Sequence, residues 1–525
     1  MNLYKISENK LFLFSSILLC LLINLIYPTW LLDPFAMIDP WFYYGTGEYF
    51  KYIKFHFSDT YYFRRWPINL NNLLFSSLFG PFYGKYILKN IILFFSVFFL
   101  KKIIFLISNR SLICTFGVIS FIFLFHKALL LSVGTSYVQS ESILLFSIYI
   151  FFLLTYDKNL KKFFFITILI SFLLIIHQTN IKWILASLIL MFFNEECQLE
   201  FNFNSIKKIF NILLCVFILI LFFENIVEFI LRVDWNNFFM FSYETALKVR
   251  DPFIKLYDTF YQDLFKRIFI VTYLSGIITS FYLSLNFKNF QNKYFKKIII
   301  FYIFLTILIL LEPFHKIGFS IYPQNSWAHL LLSIIISSIL FFDFIKNFKK
   351  EIFFSNKLIF YKNIIKFISK FLILCSLIFI NLKVGNHLIV TRSDMNYDYY
   401  KKRIYQIKDE NKILTSHALK KGKRVTIIDD RPHVNWSTNI TQLYGEYSAL
   451  SLMYPSKFYS CKLVDWQLGY APDLIIALFS DKNVLDSLDL IKEVTNNCKF
   501  NGDFEYIETL DQDIKLFKVK AKIND

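Results

Sequence analysis

The sequence predicts an α-helical polytopic membrane protein, with about eleven transmembrane helices followed by a C-terminal extracytoplasmic α/β domain. Three observations predict it. Hydrophobic residues make up 56% of the 525, and the mean hydropathy is +0.47, above the balance of apolar and charged residues that a water-soluble chain carries. Apolar runs near the length of a bilayer crossing recur between residues 11 and 383, separated by lysine-rich or aromatic loops. Beyond residue 384 the runs stop and the tail takes the composition of a small soluble domain.

In order, the runs fall near residues 11–32, 86–106, 112–130, 142–156, 163–178, 181–194, 209–231, 267–287, 297–312, 326–345 and 366–383. The first lacks a small-residue cleavage site and continues into Pro28 and Trp30, which reads as a retained span and not a removed signal peptide. Lys101, Lys102 and Arg110, then Lys158, Lys161 and Lys162, then Lys288 to Lys297, then the run from Lys346 to Lys370 fall in alternate loops, and that side is read as the cytoplasm. Lys5 and Lys10 put the N-terminus inside, so the loop 33–85 and the tail 384–525 lie outside. This clustering also accounts for the net charge of +18 and sets aside nucleic acid as a partner in favour of an anionic membrane surface. Crowding by Ile, Lys, Asn and Phe is the mark of an A/T-rich genome. It points to a bacterial inner membrane, with the tail in the periplasm.

Two domains follow: a transmembrane domain over 1–383 and an extracytoplasmic domain over 384–525. Within the second, RVTIID (424–429) and LIIAL (474–478) read as buried strands, and 506–519 alternates like a terminal hairpin. Cys461 and Cys498 both fall in this tail, where a disulfide between them could form. Asp429, Asp430, Arg431 and His433 follow the first strand, a place where α/β domains often bind ligands, although a solvated loop explains them as well.

The chemistry is expected in the stretch from Ile38 to Pro67, IDPWFYYGTGEYFKYIKFHFSDTYYFRRWP, just past the first span. Asp39 precedes Pro40, which biases it toward an extended conformation and holds the carboxylate at the start of the loop. Such a carboxylate could deprotonate an acceptor hydroxyl, could hold a divalent cation, or could cap the helix that begins at Trp41. Asp33, also before a proline, suits a helix end at the membrane edge. Arg64 and Arg65 beside Trp66 suit forked hydrogen bonds to a lipid phosphate, or an interfacial anchor.

Further along, Glu141 begins a span at a far-side turn, favoured there by the helix dipole or converging on Asp39. His177 lies in the tight turn HQTN, as a turn residue or an active-site donor. His315 and Lys316 bring positive charge to the far side, with Lys316 suited to phosphate. Glu224 and Glu228 stand one turn apart near the end of a span, where a buried acid commonly has a function. The chain has no GxxxxGKS, HExxH, CxxC pair or GxSxG, so a cytoplasmic nucleotide site has no visible seat.

The opening IDPWFYYGTGEYF, followed by DTYYFRRWP, resembles the DPYFNYR-type motif and the downstream Asp/Arg/Trp/Pro segment of the oligosaccharyltransferase catalytic subunit. That subunit belongs to the GT-C superfamily of integral membrane glycosyltransferases. SVGTSYVQSES (132–142) occupies the place of its second acidic motif, SYDNE. Asp39 then matches the first acid and Glu141 the later one. The chain departs at Val138 and Gln139, where a middle acid stands in the family. It also has no WWDYG, VDWQLGY near Asp465 being a faint echo, so sequon recognition is not implied.

The resemblance implies a GT-C-like fold and an enzyme that moves a sugar or oligosaccharide from a polyprenyl-phosphate-linked donor to a lipid, glycan or protein acceptor. Asp39 and Glu141 would be catalytic, with Mg or Mn as a potential cofactor held by them. Arg64, Arg65, His177, His315 and Lys316 would bind substrate. A transporter or flippase of lipid-linked glycans, or a polysaccharide polymerase or ligase, stands as the alternative.

Overall fold

The computed structural model describes residues 3–27, 43, 50, 51, 54, 61–134, 138–156, 160–193, 198–199, 203–235, 276–310, 327–353, 425–429, 474–478, 483–496, 502–511 and 514–521. These are mostly helical. Three helical stretches, Glu8–Ile26, Tyr83–Ile107 and Phe203–Leu231, are long and apolar enough to cross a membrane, which marks the chain as a membrane protein.

The first crossing belongs to α1 (Leu3–Ile26). After it the short α2 (Tyr61–Arg64) and α3 (Trp66–Phe79) run into α4 (Pro81–Ile107), which carries the second crossing. The second half of the expected outer loop is thus helical and packs back on α4. Two glycines make this hairpin. Gly80 takes φ +79, a left-handed value that favours glycine, and Pro81 with its fixed φ starts the next helix. One turn on, a Cβ at Gly84 would run into the backbone carbonyl of Phe75, so the two helices touch backbone to backbone.

α5 (Leu112–Phe125) and α6 (Lys127–Gly134) replace the single span expected over 112–130. His126 breaks it: its φ of −98° and ψ of 82° leave the helical region, and its Nδ1 accepts the Leu129 amide at 3.2 Å to begin the next helix. α7 (Val138–Leu154), α8 (Leu160–Ile176) and α9 (Ile181–Leu188) follow, with a 3-10 turn at Gln178–Asn180. α7 packs against α4 on one side and α8 on the other, which makes it the central helix of this region.

α10 (Phe203–Leu231) carries the third crossing. Its buried residues Ile212, Val216, Ile220, Glu224, Val227 and Leu231 recur at three- and four-residue spacing, one face of a helix. The opposite face presents Phe210, Phe222 and Phe229, the last 84% exposed, an apolar surface suited to acyl chains. Beyond a helical stretch over 276–286 come α11 (Lys293–Leu310) and α12 (Trp327–Phe353). Phe146 of α7, Trp183 of α9, Phe301 of α11 and Trp327 of α12 meet edge to face or tilted, with the two tryptophan rings 4.4 Å apart, and close the core below the first turn of α7.

Lys101 and Lys102 belong to α4 and not to a loop. Lys101 is buried and donates to Ser15 Oγ (2.9 Å) and Ser16 Oγ (3.2 Å) of α1. Lys102 lies 4.4 Å over the ring of Phe98. Both lysines sit near the end of α4, where hydroxyls and aromatic faces replace the hydration that a loop would give.

In the tail, β1 (Val425–Asp429) pairs in parallel with β2 (Leu474–Leu478). β2 pairs antiparallel with β4 (Ile514–Ala521), which forms a hairpin with β3 (Gly502–Asp511), giving the order β1-β2-β4-β3. The two apolar runs and the alternating terminal segment are therefore strands. α13 (Val484–Asn496) lies between β2 and β3 in the chain and is capped by Asn483, whose Oδ1 accepts the Asp486 amide at 2.8 Å.

Candidate functional site

Glu141 stands in the first turn of α7, 4% exposed. Lys89, fully buried in the third turn of α4, donates to Glu141 Oε1 at 3.1 Å and to Ser140 Oγ at 2.8 Å. Ser140 Oγ in turn donates a hydrogen bond to the carbonyl of Val133 at 2.9 Å. Glu141 Oε2 is buried and accepts no hydrogen bond. One oxygen of this carboxylate is therefore fixed by a lysine, while the other keeps its lone pairs for something else.

The next residue carries the network on. Asn180 donates to Ser142 Oγ at 3.1 Å and to the carbonyl of Leu173 at 2.7 Å, tying the turn after α8 to the start of α7. The Asn180 amide donates to the His177 carbonyl at 3.0 Å, which closes that turn. His177 lies one residue past the end of α8. Burial holds its imidazole well below the usual histidine range, and the positive charges of Arg65 and Lys182 push it the same way.

Arg65 ends the loop that began at Asp39. Its Nη1 donates to the hydroxyl of Tyr43, whose ring centroid lies 5.6 Å from the guanidinium carbon. The Tyr43 carbonyl accepts from Asn72 Nδ2 at 3.2 Å, so Tyr43 is held both by Arg65 and by α3. Arg64 takes a different direction. Its Nη2 meets Glu224 Oε2 of α10 at 3.4 Å, both side chains buried, and its guanidinium lies 5.3 Å from the Trp235 ring centroid.

Of the residues singled out in the sequence, Glu141, His177 and Arg65 thus lie in neighbouring buried polar groups: Asn180 ties the His177 turn to Ser142, next to Glu141 in the chain, and Arg65 is near enough for its charge to bear on the His177 imidazole. Arg64 is next to Arg65 in the chain but points at Glu224. Asp39, His315 and Lys316 lie outside the described residues, as do Asp33, Asp59, Asp430, Arg431, His433, Cys461 and Cys498. Among the described residues no three His, Cys, Asp or Glu side chains gather as a metal site. Sequence reasoning passed over Lys89 and Asn180. The available signal was a lysine inside the apolar run ILKNIILFF, since a charge in a span normally has a partner.

Fold and site together define a multi-helix membrane protein with an ion pair and a polar network buried beside its central helix. No protein-family model, curated protein or solved structure matches the chain.

Proposed function

We propose that the chain is an integral membrane glycosyltransferase of the GT-C kind, moving a sugar or oligosaccharide from a polyprenyl-phosphate-type donor to a lipid, glycan or protein acceptor. The reaction would take place on the extracytoplasmic face of a bacterial inner membrane, with residues 384–525 as a periplasmic α/β domain. What supports this reading is the nearness of three buried groups: Asn180 ties the His177 turn to Ser142 beside Glu141, and the charge of Arg65 bears on His177. They come from the second acidic segment, a far-side turn and the end of the Asp39 loop, the three places where a GT-C-like site would draw its groups.

In this reading Asp39 takes the proton of the acceptor hydroxyl as its oxygen bonds to the anomeric carbon of the sugar, the bond from that carbon to the donor phosphate oxygen breaks, and polyprenyl phosphate leaves. Arg65 and Lys316 offset the charge that grows on the leaving phosphate, where fixed cations act most strongly. Lys89 holds Glu141 Oε1 and leaves Oε2 facing inward. If Mg or Mn takes part, Asp39 and Glu141 Oε2 would hold it, and it would supply Lewis acidity at the phosphate.

The test is transfer by the purified chain in lipid nanodiscs from a short-chain polyprenyl-phosphate sugar, read as release of polyprenyl phosphate. Asp39→Ala should abolish release while the protein still inserts and folds. Transfer by that variant at the wild-type rate would overturn the mechanism. A second reading, a carrier or flippase of lipid-linked glycans, draws on the Lys89–Glu141 pair, because an ion pair buried between two apolar helices also suits a transport path. It predicts movement of the donor across vesicles with the sugar bond intact.

A further inference from the structure

α3 is inside out for a helix in water. After Pro67 and Ile68 its buried residues are Asn69, Asn72 and Ser76, at three- and four-residue spacing along one face. Asn69 donates to the Phe63 carbonyl at 3.1 Å and Asn72 to that of Tyr43, so this polar face is tied to the chain ahead of the helix. On the opposite side Leu74 and Leu78 stand one turn apart, 53% and 64% exposed, and Phe79 ends the helix exposed as well. Ser77, exposed beside them, donates to the Leu74 carbonyl at 2.9 Å and so satisfies its hydroxyl within the helix. A helix bordering water turns its polar face out and hides its leucines.

The depth of α3 in the bundle follows from its neighbours. Its first residue, Trp66, meets Phe172 of α8 with ring centroids 5.8 Å apart, and Phe172 meets Phe223 of the crossing helix α10 at 5.0 Å. Arg64 pairs with Glu224, which lies about 10 Å along the axis from the Leu231 end of α10. α3 therefore starts level with the body of a crossing helix and not beyond its end. Over its 14 residues it climbs about 21 Å to Gly80. There the chain turns back into α4, whose membrane-crossing stretch begins at Tyr83. Phe75 and Gly84 touch across this turn, and farther down the same line of α4 Ile91 and Phe95 are exposed too. The outward apolar surface of a crossing helix thus runs on into the face of Leu74 and Leu78.

We propose that Leu74, Leu78 and Phe79 form a lipid-contact surface, with α3 embedded in the leaflet on the Gly80 side and these side chains against acyl chains. The second half of the loop expected outside the membrane thereby becomes part of the embedded body. A helix of about 21 Å is too short for a hydrocarbon core of about 30 Å, but it reaches through one leaflet. Helical hydrogen bonding suits its backbone to lipid, and it carries no charged residue. The surface does not depend on the proposed transfer chemistry.

The test uses the full-length chain in nanodiscs of phosphatidylglycerol and phosphatidylcholine, part of the latter carrying a diazirine in its acyl chain. After illumination, peptide mapping by mass spectrometry should find lipid adducts on Leu74, Leu78 or Phe79 as well as on Ile91 and Phe95, and none on Leu485 of α13, which is exposed in the tail. In the second arm a hydrophilic maleimide is applied to Leu78→Cys and Leu485→Cys, read peptide by peptide so that native cysteines do not interfere. Both positions are exposed, so neither substitution disturbs packing. Leu78→Cys should react more slowly by about tenfold or more, because a thiol among acyl chains loses its reactive thiolate form. Adducts on Ile91 and Phe95 with none on α3 would overturn the proposal. Fast labelling of Leu78→Cys would then mean that water covers the face, and slow labelling that another part of the protein does. Labelling of Leu78→Cys as fast as Leu485→Cys would overturn it alone.

Discussion

Lys89 and Glu141 form an ion pair of 3.1 Å between two helices, with both side chains removed from solvent. Taking two charges out of water costs about as much as their attraction returns, so the pair adds little net stability, but either charge left alone is expensive. Lys89→Met or Glu141→Gln alone should therefore destabilise the protein, Lys89→Met by about 3–5 kcal/mol. The double variant should recover much of the loss. Thermal unfolding in detergent measures all three. A double variant that loses the sum of the two single losses would show that the two charges are independent of one another.

Arg64 and Glu224 join the end of the first loop to a membrane-crossing helix at 3.4 Å. If Arg64 also takes the donor phosphate, that phosphate competes with the Glu224 carboxylate for the same guanidinium. Glu224→Gln should then tighten the binding of polyprenyl phosphate while lowering thermal stability, and Arg64→Gln should weaken binding. Both are read as product-inhibition constants in the transfer assay. Unchanged affinity in Glu224→Gln would leave Arg64 as a link between loop and helix, with phosphate contact falling to other residues.

These pairs also show what the sequence makes legible. The position of Glu141 at a helix start follows from a polar turn ahead of an apolar run, and the strands at 425–429 and 474–478 from short apolar runs among polar ones. The partner of each charge does not follow. Lys89 and Glu141 are 52 residues apart and Arg64 and Glu224 are 160 apart, so their meeting depends on which helices pack together, and local periodicity is silent on that. The same holds for the 3-10 turn that brings Asn180 to Ser142. His126 is hidden for a different reason: a His–Lys pair between two apolar runs reads as easily within one span as between two helices, and His126 acts through its backbone angles and a cap on the following helix.

The hairpin of α3 and α4 yields a third prediction. Because a Cβ at Gly84 would meet the backbone of Phe75 and not a movable side chain, substitution there must push the helices apart. Gly84→Val should destabilise by about 1–3 kcal/mol, the usual cost of forcing extra atoms into a well-packed contact. Arg65 immediately precedes α3, so the shift should also loosen the contact between Arg65 and Tyr43. Gly80→Ala meets no neighbouring atom, and its cost should come from the left-handed φ alone, about 1 kcal/mol. Melting temperatures of the two variants, with Tyr43 fluorescence in a background free of nearby tyrosines, separate the two effects. A Gly84→Val protein as stable as wild type would mean that the helices do not touch at that point.

His177 sets the sign of a pH effect. Its imidazole is held well below its ordinary value by burial and by the charges of Arg65 and Lys182, so the folded protein keeps it neutral. In the unfolded chain the same group titrates near pH 6.5. Below that pH the unfolded state binds a proton that the folded state refuses, and stability falls as pH falls; above it neither state is protonated, and the group contributes no slope. The loss approaches about 1.4 kcal/mol per pH unit for one proton. Melting temperature followed from pH 8 down to about 5 should drop more steeply for the wild type than for His177→Gln, which keeps a polar side chain and removes the titration. The difference should open only below about pH 6.5. Parallel curves through the whole range would mean that His177 gains its proton in the folded protein as readily as in water, and that it is not buried beside Arg65 and Lys182.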